Sequence, residues 1–379
     1  MEVVRKAVER EQSGAAIVHL EVGQPSTSAP QPVLARAHQL LDENRLGYIA
    51  PPGPVELRAA IAAHYHDWYG LTISPDRVSV TVGASGACVL AFLTSFDSGD
   101  RVVVPSPGYP CYRNMLEAFE VDAVDLPLGA QTRFQPTPAL LDQLVAASGP
   151  VDGLVIASPS NPAGTMLSAA ELEALASWCH TNGARLISDE IYHGLSYGTE
   201  LATAVEFNSD AIVVNSFSKY FSMTGWRLGW MIVPEEMAEP VAQLGANLLI
   251  GPPTLSQLAA VAAFEAHEEC AANVARYATN RQILLDGLPR VGLDRLAPAD
   301  GAFYIYAQVD HVADDSQDLC AEWLQRYGLA VTPGIDFDRR RGHQFVRFSF
   351  AGSPEDMQEA LRLLSRWNED GCPPGVTGN

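Results

Sequence analysis

A single lysine in the middle of the chain is the residue best suited to covalent chemistry. The 379 residues contain only two lysines, Lys6 and Lys219. Lys219 follows an apolar run, 211–214, that is typical of a buried strand, and it precedes a second strand-like run, 228–233. A charged amine buried there is costly, so it is expected to lose its proton or to bind a partner. A desolvated lysine is a good nucleophile toward aldehydes and forms Schiff bases.

The residues around this lysine are suited to binding a phosphate. Serines flank it, among them Ser216 and Ser218, and Arg227 follows eight residues after Lys219. An aldehyde-capturing lysine beside phosphate ligands indicates pyridoxal phosphate as a cofactor. The alternative, on this stretch alone, is an ordinary loop lysine and a surface arginine, because short motifs produce false positives.

Several other residues that could bind a ligand or take part in catalysis also come directly after predicted strands. In chain order, the residues at strand ends are Gly83, Tyr109, Asn161, Asp189 and Lys219. The strand–helix–strand rhythm between them is typical of a mostly parallel sheet covered by helices. In such sheets, ligands bind beyond the carboxyl ends of the strands. Their common position therefore predicts one ligand site.

Each of these positions also has a plainer explanation. The small-residue turn 83–86 enters a helix, so its backbone N–H groups can bind a phosphate, but such turns often serve tight packing only. Tyr109 can simply fill the core. The turn at Gly23 can offer N–H groups to a carboxylate or can be an ordinary exit from a strand. Asp189 is different, because a carboxylate at the end of a buried strand needs a partner.

The pattern along the chain predicts an α/β fold with two domains. A large domain, 45–280, carries the mostly parallel sheet covered by helices. After residue 280 the pattern becomes α+β, with strands predicted at 301–306 and 345–350 and a helix at 316–327. The smaller α+β domain is therefore predicted to consist of residues 1–44 and 281–379.

Composition narrows the classes of partner. The chain is 47% hydrophobic and 18% charged, which is ordinary for a globular enzyme, and its formal net charge is −21. That charge argues against nucleic acid and against anionic membrane surfaces. No apolar run approaches the roughly 18 residues of a spanning helix. The six cysteines are scattered without a CxxC pair, which favours a reducing, cytoplasmic location, and no metal site is expected.

Three motifs carry a resemblance to a known family. They are Ser-Phe-Ser-Lys at 216–219 with Arg227, Ser-Pro-Ser-Asn-Pro-Ala-Gly at 158–164, and Ser-Asp-Glu-Ile-Tyr at 188–192. With these motifs, the chain resembles the class I aminotransferases, fold-type I pyridoxal-phosphate enzymes, and especially their bacterial aspartate and aromatic branches. The resemblance implies ping-pong transfer of an amino group between an L-amino acid and a 2-oxo acid. It also implies a homodimer with shared active sites.

The resemblance further implies a role for each matching residue. Lys219 would form the Schiff base with the cofactor and later move the proton, and Asp189 would pair with the protonated pyridine nitrogen. Asn161 and Tyr192 would hydrogen-bond the ring hydroxyl oxygen, and Tyr109 would stack on the ring. The residues implied to bind the phosphate are Ala84, Ser85, Ser216, Ser218, Arg227 and, contributed by the partner subunit, Tyr48. The residues implied to bind the substrate are Arg347, Gly23 and Asn161. Arg347 would bind the α-carboxylate in a bidentate, fork-like geometry.

The sequence departs from the family pattern at two places, and it leaves other functions open. Ala84 and Ser85 stand where relatives often have other small or polar residues, and no second arginine is clearly placed to bind a side-chain carboxylate. Another pyridoxal-phosphate enzyme on the same fold is an alternative, such as a carbon–sulfur lyase, a decarboxylase or a cyclopropane-forming synthase, because fold does not determine reaction. An aminotransferase-like sensor fused to a DNA-binding module is disfavoured, since no basic helix-turn-helix segment precedes Gly23.

Overall fold

The fold is organised around a seven-stranded sheet. The computed structural model describes residues 2–43 and 46–371. The strands are β1 (Val18–His19), β2 (Val78–Thr81), β3 (Arg101–Ser106), β4 (Asp122–Pro127), β5 (Gly153–Ala157), β6 (Arg185–Asp189), β7 (Ile212–Ser216), β8 (Gly229–Ile232), β9 (Tyr304–Gln308), β10 (Leu329–Ala330), β11 (Thr332–Pro333) and β12 (Phe345–Ser349). The α-helices are α1 (Glu2–Gln12), α2 (Gln31–Glu43), α3 (Val55–Tyr69), α4 (Gly83–Ser95), α5 (Pro110–Ala118), α6 (Pro138–Ser148), α7 (Ala169–Asn182), α8 (Ala204–Phe207), α9 (Ala238–Leu248), α10 (Thr254–Ala259), α11 (His267–Gly287), α12 (Ser316–Glu322) and α13 (Pro354–Glu369).

The large sheet confirms the predicted, mostly parallel α/β architecture. Its strand order is β2-β8-β7-β6-β5-β3-β4, and β8 runs antiparallel to both of its neighbours. The other six strands point the same way, so their carboxyl ends meet at one edge. Successive residues of β3 alternate between two hydrophobic clusters, with Val103 in one and Val102 and Val104 in the other. The sheet is therefore buried on both faces, as expected for parallel strands.

A smaller antiparallel sheet, in the order β11-β12-β9, forms the α+β part of the fold, beside the parallel pair β1–β10. Helix α13 covers it and begins with a capping box, in which Ser353 and Asp356 bond each other's backbone N–H groups. Met357 and Leu364 of this helix lie in the hydrophobic cluster of the small sheet. Arg347 is on the central strand of this sheet, β12, which positions it at the large sheet's edge.

Hydrophobic packing divides the chain slightly differently from the predicted boundaries of 45–280 and 1–44 with 281–379. Val33 and Leu40 of α2 belong to the cluster under the large sheet, although residues 1–44 were predicted to join the small domain. The predicted boundary at 280 falls inside α11. Cys270 near the start of this helix packs with the large sheet, whereas Tyr277 and Leu284 pack with the small one. The domain division itself stays a prediction.

Local differences from the sequence expectations occur at element ends. The helix expected at 87–96 begins at Gly83, so the small-residue turn is its first turn. The strand expected at 301–306 begins at Tyr304, because Ala302 has a left-handed backbone with φ of 56°. None of the helices in the described ranges combines the length and the apolar composition needed to cross a bilayer.

Candidate active site

The carboxyl ends of the parallel strands open into a cavity of about 670 Å³. The sequence-predicted site residues that line it are Gly23, Ala84, Ser85, Tyr109, Asn161, Asp189, Tyr192, Ser218, Lys219, Arg227 and Arg347. They come from the seven-stranded and three-stranded sheets, from the first turn of helix α4 and from five loops. The fold thus brings together residues that are as far as 324 positions apart in the chain, Gly23 and Arg347.

Lys219 lies three residues beyond β7 and points into this cavity. Its Nζ donates a hydrogen bond to the carbonyl oxygen of Gly23 at 2.7 Å and lies 5.7 Å from the ring centre of Phe303. Burial, reinforced by the positive charges of Arg347 and Arg227, lowers the pKa of Lys219 to about 8. A substantial fraction of the amine is therefore neutral near physiological pH, which is the form that attacks an aldehyde.

Asp189 ends β6 and faces the same cavity with almost no exposure. One carboxylate oxygen accepts a hydrogen bond from the Tyr112 hydroxyl, and the other accepts from the Ile191 backbone N–H at 3.0 Å. Burial raises the pKa of Asp189 above its usual range, although these two hydrogen bonds and the charge of Lys219 oppose the rise. A carboxylate held this way by neutral donors is suited to pairing with a protonated ring nitrogen.

The start of α4 has the features of an anion site. Its N-cap residue, Val82, has no side-chain capping bond, so the N–H groups of the first turn remain available to a ligand. The Arg227 guanidinium lies against this turn, because a Cβ atom added to Gly83 would be only 2.7 Å from Arg227 Nη2. Arg227 also donates to the Thr224 carbonyl oxygen at 3.0 Å. The helix start and the guanidinium together fit a phosphate group.

Ser216 and Tyr48 are not brought to the cavity of this chain. Ser216 Oγ donates to the Leu228 carbonyl oxygen at 2.9 Å and lies 2.9 Å from Ser218 Oγ, from which it can accept, so it lies one layer behind the cavity and supports Ser218. Tyr48 is 89% exposed on the outer surface. The position of Ser216 differs from its predicted phosphate contact, because the last residue of β7 turns its hydroxyl toward the neighbouring strand β8.

Arg347 lies on the opposite wall and is buried. Its Nη1 donates to Asn161 Oδ1 at 2.8 Å and its Nη2 donates to the Glu21 carbonyl oxygen at 2.6 Å. The guanidinium is sandwiched between the rings of Tyr304 and Phe337, at 4.4 and 4.7 Å from their centres. Within residues 2–43 and 46–371 this guanidinium forms no ion pair with a carboxylate, and its Nε is buried without a hydrogen-bond partner. A buried guanidinium held by neutral oxygens is ready to receive an external carboxylate.

Two tyrosines complete the wall between Lys219 and Arg347. The hydroxyls of Tyr192 and Tyr304 are 2.8 Å apart, and burial raises the pKa of both phenols. Tyr192 also lies under the lysine amine, which is 5.8 Å from its ring centre. Both phenols thus stay protonated at neutral pH and serve as hydrogen-bond donors or acceptors.

Some cavity residues were missed by the sequence reasoning. Tyr112, Thr224, Tyr304 and Phe337 line the cavity, and the first turn of α1 closes one side of it with residues 2–4. Thr224 lies close to Arg227 in sequence and could have been found as a further hydroxyl ligand. The others carry no local signal, because only tertiary packing brings them to the site. No cluster of three metal-ligating side chains occurs in the described part of the chain.

The chain is similar to known proteins over nearly its whole length. Residues 15–364 match the family described as aminotransferase class I and II. Valine–pyruvate aminotransferase of Mycobacterium tuberculosis is 51% identical over 97% of this chain and 95% of its own. Aspartate/prephenate aminotransferase of Thermus thermophilus is 33% identical over 95% of this chain and 93% of its own.

Solved structures give the same result. An aminotransferase from Mycobacterium tuberculosis superposes with a TM-score of 0.95 at 51% identity, covering 98% of this chain and 96% of its own. Aspartate aminotransferase from Thermus thermophilus with maleate superposes with a TM-score of 0.90 at 31% identity, covering 96% and 95%. The chain therefore belongs to the class I and II aminotransferases and transfers an amino group between an amino acid and a 2-oxo acid.

Proposed function

We propose that this aminotransferase uses pyridoxal phosphate and that Lys219 captures the aldehyde of the cofactor. One observation carries the proposal: a single cavity contains three suitable groups. They are a lysine with a lowered pKa, a buried carboxylate, and an uncapped helix start with an arginine beside it. These groups match the three ends of the cofactor. The amine of Lys219 suits the aldehyde, Asp189 suits the ring nitrogen, and α4 with Arg227 suits the phosphate.

When bound, the cofactor supplies an aldehyde that condenses with amines and a protonated ring that withdraws electrons from the substrate's α-carbon. The protein's part is to hold and to move protons. The carboxylate of Asp189 favours the protonated ring nitrogen, because an anion close by stabilises the cationic form. Lys219 Nζ, held beside the Gly23 carbonyl, is the base and acid for the proton of the substrate's α-carbon. Ser218, Thr224 and Arg227 would hold the phosphate.

Arg347 is proposed as the receptor for the substrate α-carboxylate. Its two terminal nitrogens are oriented by Asn161 and Glu21, and the rings of Tyr304 and Phe337 fix the plane of the guanidinium. A planar guanidinium binds a carboxylate through two parallel hydrogen bonds, which also fixes the orientation of the substrate. Because Arg347 and Lys219 line the same cavity, this contact places the α-carbon near the amine.

The substrate proposed is an amino acid with an aliphatic side chain, and the acceptor proposed is pyruvate, as in the name of the Mycobacterium tuberculosis relative. The cavity supports this choice. Its apolar lining includes Val3, Val4, Val22, Met115 and Phe337. Its basic lining residues within the described ranges, Lys219, Arg227 and Arg347, already have other roles, so none is left to bind a side-chain carboxylate.

A homodimer with shared sites is proposed as the working form. Tyr48 belongs to an exposed apolar surface, because Leu248 and Ile250 are 52% and 54% exposed and Thr254 Oγ1 bonds the Gly47 carbonyl beside it. Covering this surface with a second copy would bury all three side chains. Mixing Lys219→Ala and Tyr48→Ala subunits should then restore partial activity, whereas an active monomer would contradict the dimer. The cytoplasmic location stays a prediction.

Half-reactions test the proposed function. Holoenzyme given L-valine alone should lose the absorbance of the aldehyde form of the cofactor, and pyruvate should restore it. L-aspartate at the same concentration should react far more slowly, because the basic residues of the cavity lining in the described ranges all have other proposed roles. A lyase or decarboxylase would instead release ammonia or carbon dioxide without stable loss of the aldehyde form. Rapid reaction with L-aspartate would contradict the substrate class but not the cofactor.

A further inference from the structure

A chain of three charged side chains lies behind the carboxylate receptor. His19, at the end of β1, places Nδ1 2.8 Å from Glu21 Oε1 and Nε2 3.0 Å from Glu11 Oε1 of helix α1. The Glu21 side chain is 1% exposed, whereas those of His19 and Glu11 are partly exposed. The interaction with Glu21 raises the pKa of His19 to about 9, so the imidazole is charged at neutral pH.

Glu21 is connected to Arg347 through its backbone. Its carbonyl oxygen accepts hydrogen bonds from Arg347 Nη2 at 2.6 Å and from Thr332 Oγ1 at 2.9 Å. The backbone of the preceding residue, Leu20, is held from two sides. Its N–H donates to the Ala330 carbonyl of β10, and its carbonyl accepts from the Ser349 N–H of β12. The backbone of Glu21 is therefore fixed against the guanidinium, and only the direction of its side chain is open to change.

The Glu21 carboxylate is a potential competitor for the substrate. It lines the cavity, and its Oε2 is buried without a hydrogen-bond partner among the described residues. Arg347 is equally incomplete, because its Nε also lacks a partner in the described ranges. A buried guanidinium that has no ion pair with a carboxylate attracts a nearby buried carboxylate strongly, once that carboxylate loses the cation that holds it. The Glu21 carbonyl already contacts Arg347 and both residues line the cavity, so the Glu21 side chain starts close to the guanidinium.

We propose that His19 is a positioning residue that holds the Glu21 carboxylate away from Arg347 and so keeps this arginine available to the substrate carboxylate. The inference rests on the proposed role of Arg347. The two contacts of the imidazole have different roles. Nδ1 holds the Glu21 carboxylate, and the contact of Nε2 with Glu11 fixes the orientation of the ring. Without His19, the Glu21 carboxylate would occupy the place of the substrate.

A purely structural role for this trio makes a different prediction. If His19 only fastens α1 to β1, its removal should lower the melting temperature and change kcat and KM together, and removing the Glu21 charge as well should bring no recovery. If His19 restrains a competitor, its removal should raise KM selectively. Removing the charge of the competitor should then restore KM.

The experiment compares His19→Ala, Glu21→Gln and the double variant in the holoenzyme. His19→Ala should raise KM for both the amino acid and the 2-oxo acid by about tenfold, within the range of coupling between side chains in direct contact, and leave kcat nearly unchanged. The double variant should return to the KM of Glu21→Gln alone, because the charge that competes with the substrate is absent from both. His19→Gln, which retains one hydrogen-bond donor, should give an intermediate value. His311→Ala is the matched control, because His311 also lies between two carboxylates, Asp294 and Asp310, away from the cavity.

Direct binding supplies a second readout. Calorimetric titration with isovalerate, which has the carboxylate and side chain of valine but no amino group, should show the same loss in His19→Ala and the same recovery in the double variant. Unchanged binding in His19→Ala, or a double variant as weak as the single one, would overturn the inference. If His19→Ala does not fold, His19→Gln with and without Glu21→Gln decides the question. If Arg347→Lys binds isovalerate as tightly as the wild type, the proposed function of Arg347 has failed instead.

Discussion

Asp189 and Glu190 are consecutive residues with buried carboxyl groups, and they belong to two regions with opposite properties. Asp189 faces the cavity, where Lys219 and Arg347 donate hydrogen bonds only to uncharged oxygens. Glu190 faces the interior behind it and accepts hydrogen bonds from Ser188 Oγ, Thr203 Oγ1 and the Ala204 N–H at 3.1, 2.8 and 2.9 Å.

The network behind the cavity is complete within the protein. His193 Nε2 donates to the Ser158 carbonyl oxygen at 2.9 Å, so its Nδ1 is the acceptor for the Tyr69 hydroxyl at 2.6 Å. Burial raises the pKa of Glu190 to about 8 and lowers that of His193 to about 4, so both groups are largely uncharged at neutral pH. Burial alone therefore does not distinguish the two regions. Among the residues that the structure describes, Lys219 and Arg347 in the cavity form no ion pair with a carboxylate, whereas the charges of the network behind it are neutralised.

Among the substitutions that test this comparison, the largest effect on catalysis is expected at Asp189. Asp189→Asn should lower kcat by about 10²–10³-fold, the scale of losing one charge-stabilising group in an active site, because an amide cannot keep the ring nitrogen protonated. Steady-state kinetics at saturating L-valine measure this change. Near-normal kcat with normal cofactor content would show that the carboxylate has no role in the chemistry.

Arg347→Lys should have the next largest effect. The variant should fold normally and lose about 2 kcal/mol of transition-state stabilisation, measured from kcat/KM, because lysine keeps the charge but cannot make two parallel hydrogen bonds. Arg295→Lys is the control, since Arg295 pairs with Asp310 on the surface. Amines without a carboxylate should be poor substrates for the wild type and should lose little more in the variant. Equal losses for substrates with and without the carboxylate would refute the receptor role.

The lowered pKa of Lys219 predicts a pH dependence for cofactor capture. Its pKa in the folded protein is about 8, below the usual 10.5, so the neutral amine becomes the main form above pH 8. The rate at which apoenzyme captures pyridoxal phosphate should rise by about tenfold per pH unit below that value and then level off. Stopped-flow absorbance between pH 6 and 10 measures it. A rate that keeps rising to pH 10 would show an unperturbed amine.

The sequence was informative about the cavity for a physical reason. Loops at the carboxyl ends of parallel strands meet at one edge, so Asp189, Asn161 and Lys219 could be grouped without knowing any contact. Ser216 shows the limit of this reasoning. Ser216 is the last residue of β7 and bonds the Leu228 carbonyl next to β8, whereas Ser218 lies beyond the strand end, in the loop that lines the cavity.

Residues supplied by packing between distant segments could not be predicted. Tyr112 reaches Asp189 from helix α5, and its position depends on how that helix packs on the sheet. Likewise, residues 1–44 were predicted to pack with the small domain, and only the structure shows that Val33 and Leu40 of α2 lie in the cluster under the large sheet. Patterns along the chain show which face of a helix or strand is apolar, but they do not show which segment packs against that face.

The smallest effect on catalysis is expected at Glu190, the counterpart of Asp189. Glu190→Gln should leave kcat within about twofold of the wild type, because the residue has no contact with the cavity. Its pKa is raised on folding from 4.5 to about 8, so the wild type should lose stability as the pH rises through this interval. The variant lacks this loss and should therefore gain stability relative to the wild type between pH 6 and pH 9. Melting temperatures at the two pH values measure the difference, and a large fall in kcat would remove the contrast with Asp189.

Covalent labelling tests the central claim, that Lys219 is the amine that holds the cofactor. Borohydride reduction of the holoenzyme followed by peptide mass mapping should place the pyridoxyl group on Lys219. Because the chain has only one other lysine, Lys6, the assignment has a single competing side chain. Lys219→Ala is the control and should lose both the label and turnover. A label on Lys6, or no label on a protein that is active, would contradict the account.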